Sequence, residues 1–473
     1  MLDKIASLEK ISRTLEVASN QREAISGMSL EYVNSFIESL PDRKAYIKAD
    51  CPQLKSMVVT EEGKPFETLL EIIQAEVDHA GINAASGGHL GYIPGGGLWM
   101  SSMGDMLAAV ANRYAGIIFS GTGAVIMENH LIKWLASLAG YPATAHGNIS
   151  SGGSIANLTA ITTARDAFGI RSTNVKSSVI YHTAQAHHCI HKAFHITGLD
   201  EAVHRIVPMN DRCQMDADAL EAIIKEDIQA GLKPFLVIAS AGTTNTGSID
   251  PLDRIADICE ANNLWFHVDA AYGGFFLLVD EVKEKFKGIE RSDSLVMDPH
   301  KGLFLPFGTG VVLVRDGKKL IASHAFEASY LVDTLGYDEV SPSDCGPELT
   351  KHFRGLRMWL PIHYHGLAPF RACLEEKLYL CRYFHQQIRQ LGFETGPDPE
   401  LSVTYFRYPE EDKNDFNKKL VEQLHKDGRI FLSSTILDGD VWIRCAILSF
   451  RTHLREVDLA LNMIKENLQL IGN

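Results

Sequence analysis

The 473-residue sequence has no excess of positive charge: 59 acidic residues outnumber 45 basic ones, for a formal net charge of −14. An acidic chain without a basic stripe lacks the electrostatic footprint of a nucleic-acid binder. Long apolar runs are also missing. No stretch approaches the roughly 18–20 uncharged residues that a membrane-spanning helix needs. The opening segment, MLDKIASLEKISRTLEVAS, is charged and has no apolar core of the kind a secretory signal carries. Eight cysteines are scattered without a CxxC pair, which reads as ordinary reduced thiols rather than a disulfide framework or a metal site. His187 and His188 are adjacent, yet no third ligand follows at helical or hairpin spacing, so no metal is expected. There are no repeats or low-complexity tracts. A cytoplasmic enzyme that binds neither nucleic acid nor membrane is the expectation.

What is present is an ordinary globular composition, 45% hydrophobic and 22% charged, in a chain long enough for two or three domains. Leu8, Ile11, Leu15 and Ala18 recur at three- and four-residue steps, so a helical stripe over 2–18 must be covered by the body or by a partner subunit. From about 145 to 315, short unalternating apolar runs recur: VIY at 179–181, FLVI at 235–238, LWFHV at 264–268 and VVLV at 311–314. Runs of that kind fit strands buried on both faces. Helical segments such as 251–263 separate several of them, which predicts an α/β fold with a mostly parallel sheet flanked by helices. Beyond Pro361 come an amphipathic stretch at about 369–391, strand candidates at 402–405 and 441–447, and a closing helix at about 455–469. The expected division is an N-terminal helical segment over 1–100, a large domain over 101–360 and a small α+β domain over 361–473.

Five segments carry candidate chemistry. In HVDAAYGG (267–274) a strand ends on Asp269, where the ligand crevice of a parallel sheet lies, and Ala271 leaves room for a flat ring. DPHKG (298–302) sets Lys301, an imine former when its pKa is depressed, between buried segments. SSGGS (150–154) precedes a helical stretch, so small residues and free N–H groups there can close on a phosphate. TAQAHH (183–188) supplies His187, a flat imidazole able to stack on an aromatic ring. AGTTNT (241–246) offers hydroxyls from Thr243 and Thr244 to a cofactor or a substrate carboxylate. Each segment alone has a plainer explanation: a turn cap, a surface lysine, a loop histidine. Together they place a phosphate cup, a stacking ring, a carboxylate and a lysine at successive strand ends, the set that a phosphorylated pyridine aldehyde requires.

The segments SSGGSIANLTAITTAR, QAHHCIHKA, ASAGTTNTGSIDPLDRIADI, LWFHVDAAYGG, DPHKGLFLPFGTGVVLVRD and FRGLRMWL resemble the group II pyridoxal-phosphate decarboxylases, the family of aromatic-L-amino-acid, histidine and glutamate decarboxylases. The resemblance runs across nearly the whole chain. It implies the type I fold of aspartate aminotransferase and pyridoxal 5'-phosphate as cofactor. Lys301 would carry that cofactor as a Schiff base, Asp269 would pair with its ring nitrogen, His187 would stack on one face and Ala271 would lie against the other. Gly153, Ser154 and His300 would hold the phosphate, and Thr243 or Thr244 would touch the cofactor or the substrate. Arg444 matches the arginine that binds the substrate carboxylate in glutamate decarboxylases. Tyr92 and Ile93 match the apolar lining of the side-chain pocket in the aromatic enzymes, and Tyr337 matches the proton donor of the catalytic loop. A homodimer with its site at the subunit interface is implied as well. Three departures stand out: Gly302 follows the lysine where many relatives have Trp, the segment around His89–Tyr92 is short, and so is the catalytic loop.

The expected reaction is decarboxylation of an L-amino acid to carbon dioxide and an amine, with an aromatic or apolar substrate favoured. The rivals are a carbon–carbon lyase of the sphingosine-phosphate-lyase type, an aldehyde-forming oxidative decarboxylase, and a cofactor-binding protein without turnover.

Overall fold

The computed structural model describes residues 1–326 and 339–471, the side chain of residue 471 excepted. A two-residue antiparallel pair, β1 (Tyr46–Ile47) and β2 (Gly81–Ile82), lies in the first hundred residues. The central sheet has seven strands: β3 (His146–Ser150), β4 (Ser178–His182), β5 (Val203–Ile206), β6 (Lys233–Ser240), β7 (Trp265–Asp269), β8 (Ser294–Met297) and β9 (Gly310–Val314). Their spatial order is β3-β9-β8-β7-β6-β4-β5. Neighbours run parallel except at β9, which is antiparallel to both β3 and β8. The mostly parallel sheet flanked by helices expected from the sequence is therefore present, with VVLV as its antiparallel member.

The apolar runs are unalternating because successive residues feed two different cores. Val179 and Tyr181 join one hydrophobic cluster and Ile180 the other; Phe266 and Val268 divide from Trp265 in the same way. A sheet covered by helices on both faces needs apolar side chains at every position. One cover is the helix Gly153–Ala167, whose Ala156, Ala160 and Ala164 allow close approach to the sheet.

In the C-terminal third, β10 (Glu394–Thr395), β11 (Val403–Arg407), β12 (Ser433–Leu437) and β13 (Asp440–Ala446) form an antiparallel sheet in the order β10-β11-β13-β12. The long helix Ala368–Gln390 and the closing helix Leu454–Ile471 pack near it, within about a residue or two of the bounds read from periodicity. The N-terminal stripe differs from expectation. The helix spans Leu2–Ser12 only, a short 3-10 turn at Arg13–Leu15 follows, and neither buries a residue. Leu8, Ile11 and Leu15 remain exposed, so no described part of this chain covers them. No helix among the described residues is long and apolar enough to cross a membrane.

Candidate active site

The carboxyl ends of the parallel strands emerge at one edge of the sheet, and the chemistry gathers there. After β3 the chain turns through Gly152, at φ 151° and ψ 175°, a region essentially reserved for glycine. The helix Gly153–Ala167 starts at once, and the first N–H groups of a helix have no intrahelical acceptor. After β4, His187 caps the helix His188–Thr197, its Nδ1 accepting from the Cys189 N–H at 3.3 Å. After β6, the turn at 241–248 is closed by its own hydroxyls. Thr243 Oγ1 lies 2.6 Å from Thr246 Oγ1 and accepts from the Ser248 N–H at 3.1 Å. β7 ends on Asp269 itself. β8 leads into a single helical turn, Pro299–Gly302, that carries Lys301.

These ends surround one cavity of about 380 Å³, a size usual for small-molecule sites. Lys301, Asp269, His187, Ala271, Gly153, Ser154, His300, Thr243, Thr244, Tyr92 and Ile93 all line it. Asp269 Oδ1 accepts from the Ala271 N–H at 3.0 Å, and Oδ2 accepts from Asn157 Nδ2 at 3.2 Å. Lys301 Nζ lies 3.2 Å from Asp298 Oδ2, whereas the buried Asp298 Oδ1 has no hydrogen-bond partner among the described residues. His300 donates from Nδ1 to the Thr309 carbonyl at 2.6 Å, which fixes its ring. Burial pushes His187 down to about 4, against the pull of the Asp269 carboxylate, so the imidazole is neutral at pH 7.

Two expectations need restating. Arg444 is not among the residues that line the cavity. It is buried, and its guanidinium donates to the carbonyls of Thr244 and Asn245 and to Ser433 Oγ. Those bonds tie it, from behind the cavity lining, to the Thr244–Asn245 turn. Within the threonine doublet, the Thr243 hydroxyl is used up inside the turn. Thr244 is half-buried and makes no side-chain hydrogen bond among the described residues. Tyr337 lies outside the described residues.

Gly302, the departure from the tryptophan of many relatives, has a packing reason. A Cβ there would sit 2.7 Å from the Cβ of the buried Phe275. An aromatic ring contributed by another part of the chain already fills that space.

The residues that sequence reasoning passed over are Asn157, Gln185, Cys189, Ser240, Tyr272 and Asp298, all of which line the cavity. Asn157 stands one turn after Gly153 on the same helix face, a spacing that flags it in retrospect. Nothing local flags the others. Among the described residues no cluster of three His, Cys, Asp or Glu side chains could hold a metal ion.

The donor set suits a phosphorylated pyridine aldehyde: the start of a helix, a neutral ring, a carboxylate and an amine line the same walls. Comparisons agree. The model of the pyridoxal-dependent decarboxylase conserved domain matches residues 53–409. The chain is 30% identical to an aromatic-L-amino-acid decarboxylase of Bacillus atrophaeus, covering 94% of this chain and 95% of that protein. It is 26% identical to tryptophan decarboxylase 2 of Oryza sativa subsp. japonica, covering 85% and 84%. A crystal structure of Oryza sativa TDC with PLP and tryptamine shares the fold at a TM-score of 0.91 and 23% identity, over 97% of this chain and 99% of that one. The chain thus belongs to the pyridoxal-dependent decarboxylase family, with the type I fold, and is an amino-acid decarboxylase that uses pyridoxal 5'-phosphate.

Proposed function

We propose that this decarboxylase acts on an aromatic L-amino acid, with Lys301, Asp269 and His187 as the residues that touch the cofactor. The observation that carries the reading is the convergence of those three side chains on one cavity that Tyr92 and Ile93 also line. When bound, pyridoxal phosphate supplies an aldehyde for the substrate amine and a charged ring that accepts the electron pair left as carbon dioxide departs.

The protein's own groups divide the remaining work. Lys301 Nζ would hold the cofactor by its aldehyde carbon. Asp269 holds a proton at the ring nitrogen, because an adjacent negative charge favours the protonated form. His187, neutral and capped by the Cys189 N–H, presents a ring face without adding charge. Gly153 and Ser154, at the start of their helix, bind the phosphate with His300 beside them. The Thr244 hydroxyl is the donor available to the substrate carboxylate, and Tyr92 and Ile93 enclose the side chain. Both have left-handed backbones, φ 54° and 57°, uncommon for a tyrosine and a clear outlier for a β-branched isoleucine. Such a strained pair fits a segment shaped for contact with a ligand.

A second copy of the chain is proposed to complete the molecule. The uncovered Leu8, Ile11 and Leu15 support a homodimer with its site at the interface. All eight cysteines are free, which supports a reducing, cytoplasmic setting.

The test is a panel of tryptophan, tyrosine, phenylalanine, histidine and glutamate, incubated with holoenzyme and with Lys301→Ala while carbon dioxide, amine and aldehyde are measured. Amine and carbon dioxide from an aromatic acid, absent in the variant, are expected. Turnover of glutamate alone would overturn the substrate class. Aldehyde in place of amine would replace the reaction, an outcome kept in view because phenylacetaldehyde synthases are among the relatives.

A further inference from the structure

We infer that His267 is a positioning residue for the cofactor: as a neutral imidazole protonated on Nε2, it orients the Asn157 amide so that Asp269 meets an N–H and keeps its charge for the ring nitrogen. The inference rests on the proposed role of Asp269 and lies one layer behind it.

The arrangement follows from strand geometry. Trp265, His267 and Asp269 alternate along β7 and so project from one face. Ser294 stands opposite His267 in the parallel register of β7 with β8. Asn157 reaches the same face from the helix Gly153–Ala167. Trp265, His267, Ser294 and Asn157 are all buried, and the chain of contacts runs unbroken to Asp269.

Its polarity can be read from the two ends. An ionised carboxylate only accepts, so the Asn157 NH2 faces Asp269 Oδ2. The second amide N–H points toward Cys189 Sγ at 3.5 Å. The amide oxygen therefore faces His267 Nε2 at 2.8 Å, and Nε2 must carry a proton. At the far end, the indole N–H of Trp265 only donates, and Ser294 Oγ accepts it at 2.8 Å. The single hydroxyl proton of Ser294 then serves His267 Nδ1, also at 2.8 Å. Complete burial agrees with a neutral ring, pushing His267 down to about 4 despite the nearby Asp269 carboxylate. Every bond is thus satisfied by neutral donors, and no cation of the network competes with the ring for Asp269. Without the N–H at Nε2, the Asn157 amide loses one of the two contacts that hold its orientation and is left to the Asp269 carboxylate alone, with its own oxygen buried and unpaired.

The first measurement needs no variant. In protein with ¹⁵N-labelled histidine, His267 is expected to show a protonated Nε2 and an unprotonated Nδ1 at pH 7. A proton on Nδ1, or an imidazolium, overturns the inference. The second reads the ring nitrogen of ¹⁵N-labelled pyridoxal phosphate, together with cofactor affinity, in holoenzyme carrying His267→Leu, His267→Gln or Asp269→Asn. His267→Gln keeps an N–H toward Asn157 and is expected to retain the pyridinium signal and near-normal affinity. His267→Leu is expected to shift the signal toward pyridine and weaken cofactor binding roughly tenfold, the scale of one hydrogen bond to a charged group. Asn157→Leu gives the same reading should His267→Leu not fold, as judged by thermal unfolding of the apo protein. A wild-type signal and affinity in the leucine variant sink the network while leaving Asp269 untouched. A pyridinium signal that persists in Asp269→Asn instead sinks the role of Asp269 itself.

Discussion

Asp269 and Lys301 line the same cavity, and their surroundings are built in opposite ways. At the Asp269 end both carboxylate oxygens have donors, one from the backbone of Ala271 and one from Asn157, with a buried relay behind. At the Lys301 end, among the described residues, the amine has one ion pair, to Asp298, and the other oxygen of that carboxylate has no hydrogen-bond partner. The anchoring end is fully bonded and the reacting end is left with bonds to exchange. That division suits the roles proposed for the two residues, Asp269 as the anchor and Lys301 as the reacting amine.

The sharpest way to break this comparison is at the reacting end. Lys301→Ala is expected to lower kcat by at least about a thousandfold, read as amine production from the preferred substrate. Phosphate and ring contacts should still bind the cofactor weakly, which equilibrium dialysis checks. Next comes Arg444→Leu, which strips donors from the Thr244 and Asn245 carbonyls and from Ser433. A loss of about 3 kcal/mol of folding stability is expected from leaving those buried groups unpaired, measured by urea unfolding. KM should rise for aromatic substrates, because the turn bearing Thr244 loosens. A normal stability with a selective loss of acidic substrates would instead make Arg444 a carboxylate ligand.

Gly302→Trp probes the wall behind the reacting end. Overpacking against Phe275 is expected to cost about 2–3 kcal/mol, and Phe275→Ala in the same chain should restore part of it. Additive losses would mean the two positions do not share space.

The smallest effect belongs to the anchoring end. His267 titrates near 4 when folded and at an ordinary 6.5 when unfolded. Between those values the unfolded chain takes up a proton that the folded chain refuses, so stability falls as the pH drops from 6.5 toward 4. The share due to His267 is on the order of 2 kcal/mol. It appears as the difference in urea-unfolding free energy between wild type and His267→Gln at pH 7 and at pH 4.5.

Much of the site was legible because a parallel sheet delivers its strand ends to one edge. Segments far apart in sequence, at 150–154, 183–188, 241–246, 267–274 and 298–302, could therefore be assigned to one place from order alone. Side-chain direction was legible less often. Thr243 and Thr244 are adjacent and chemically alike, and only the closed turn shows which hydroxyl is spent. Arg444 carries a recognisable motif, yet the carbonyls it meets lie 199 and 200 residues away in sequence. Phe275 and Gly302 are complementary only because the chain folds the two onto each other.

By itself the sequence determined the class of fold and the cofactor, since burial pattern and motif order are properties of the linear chain. The tertiary structure decided how the groups of the site are held: the direction of each hydrogen bond behind Asp269, the task of Arg444 and the filling of the space at Gly302. The physical reason is that apolar burial depends on composition along a strand. A hydrogen bond needs two atoms within about 3 Å and suitably aligned, and here register and helix packing bring them there.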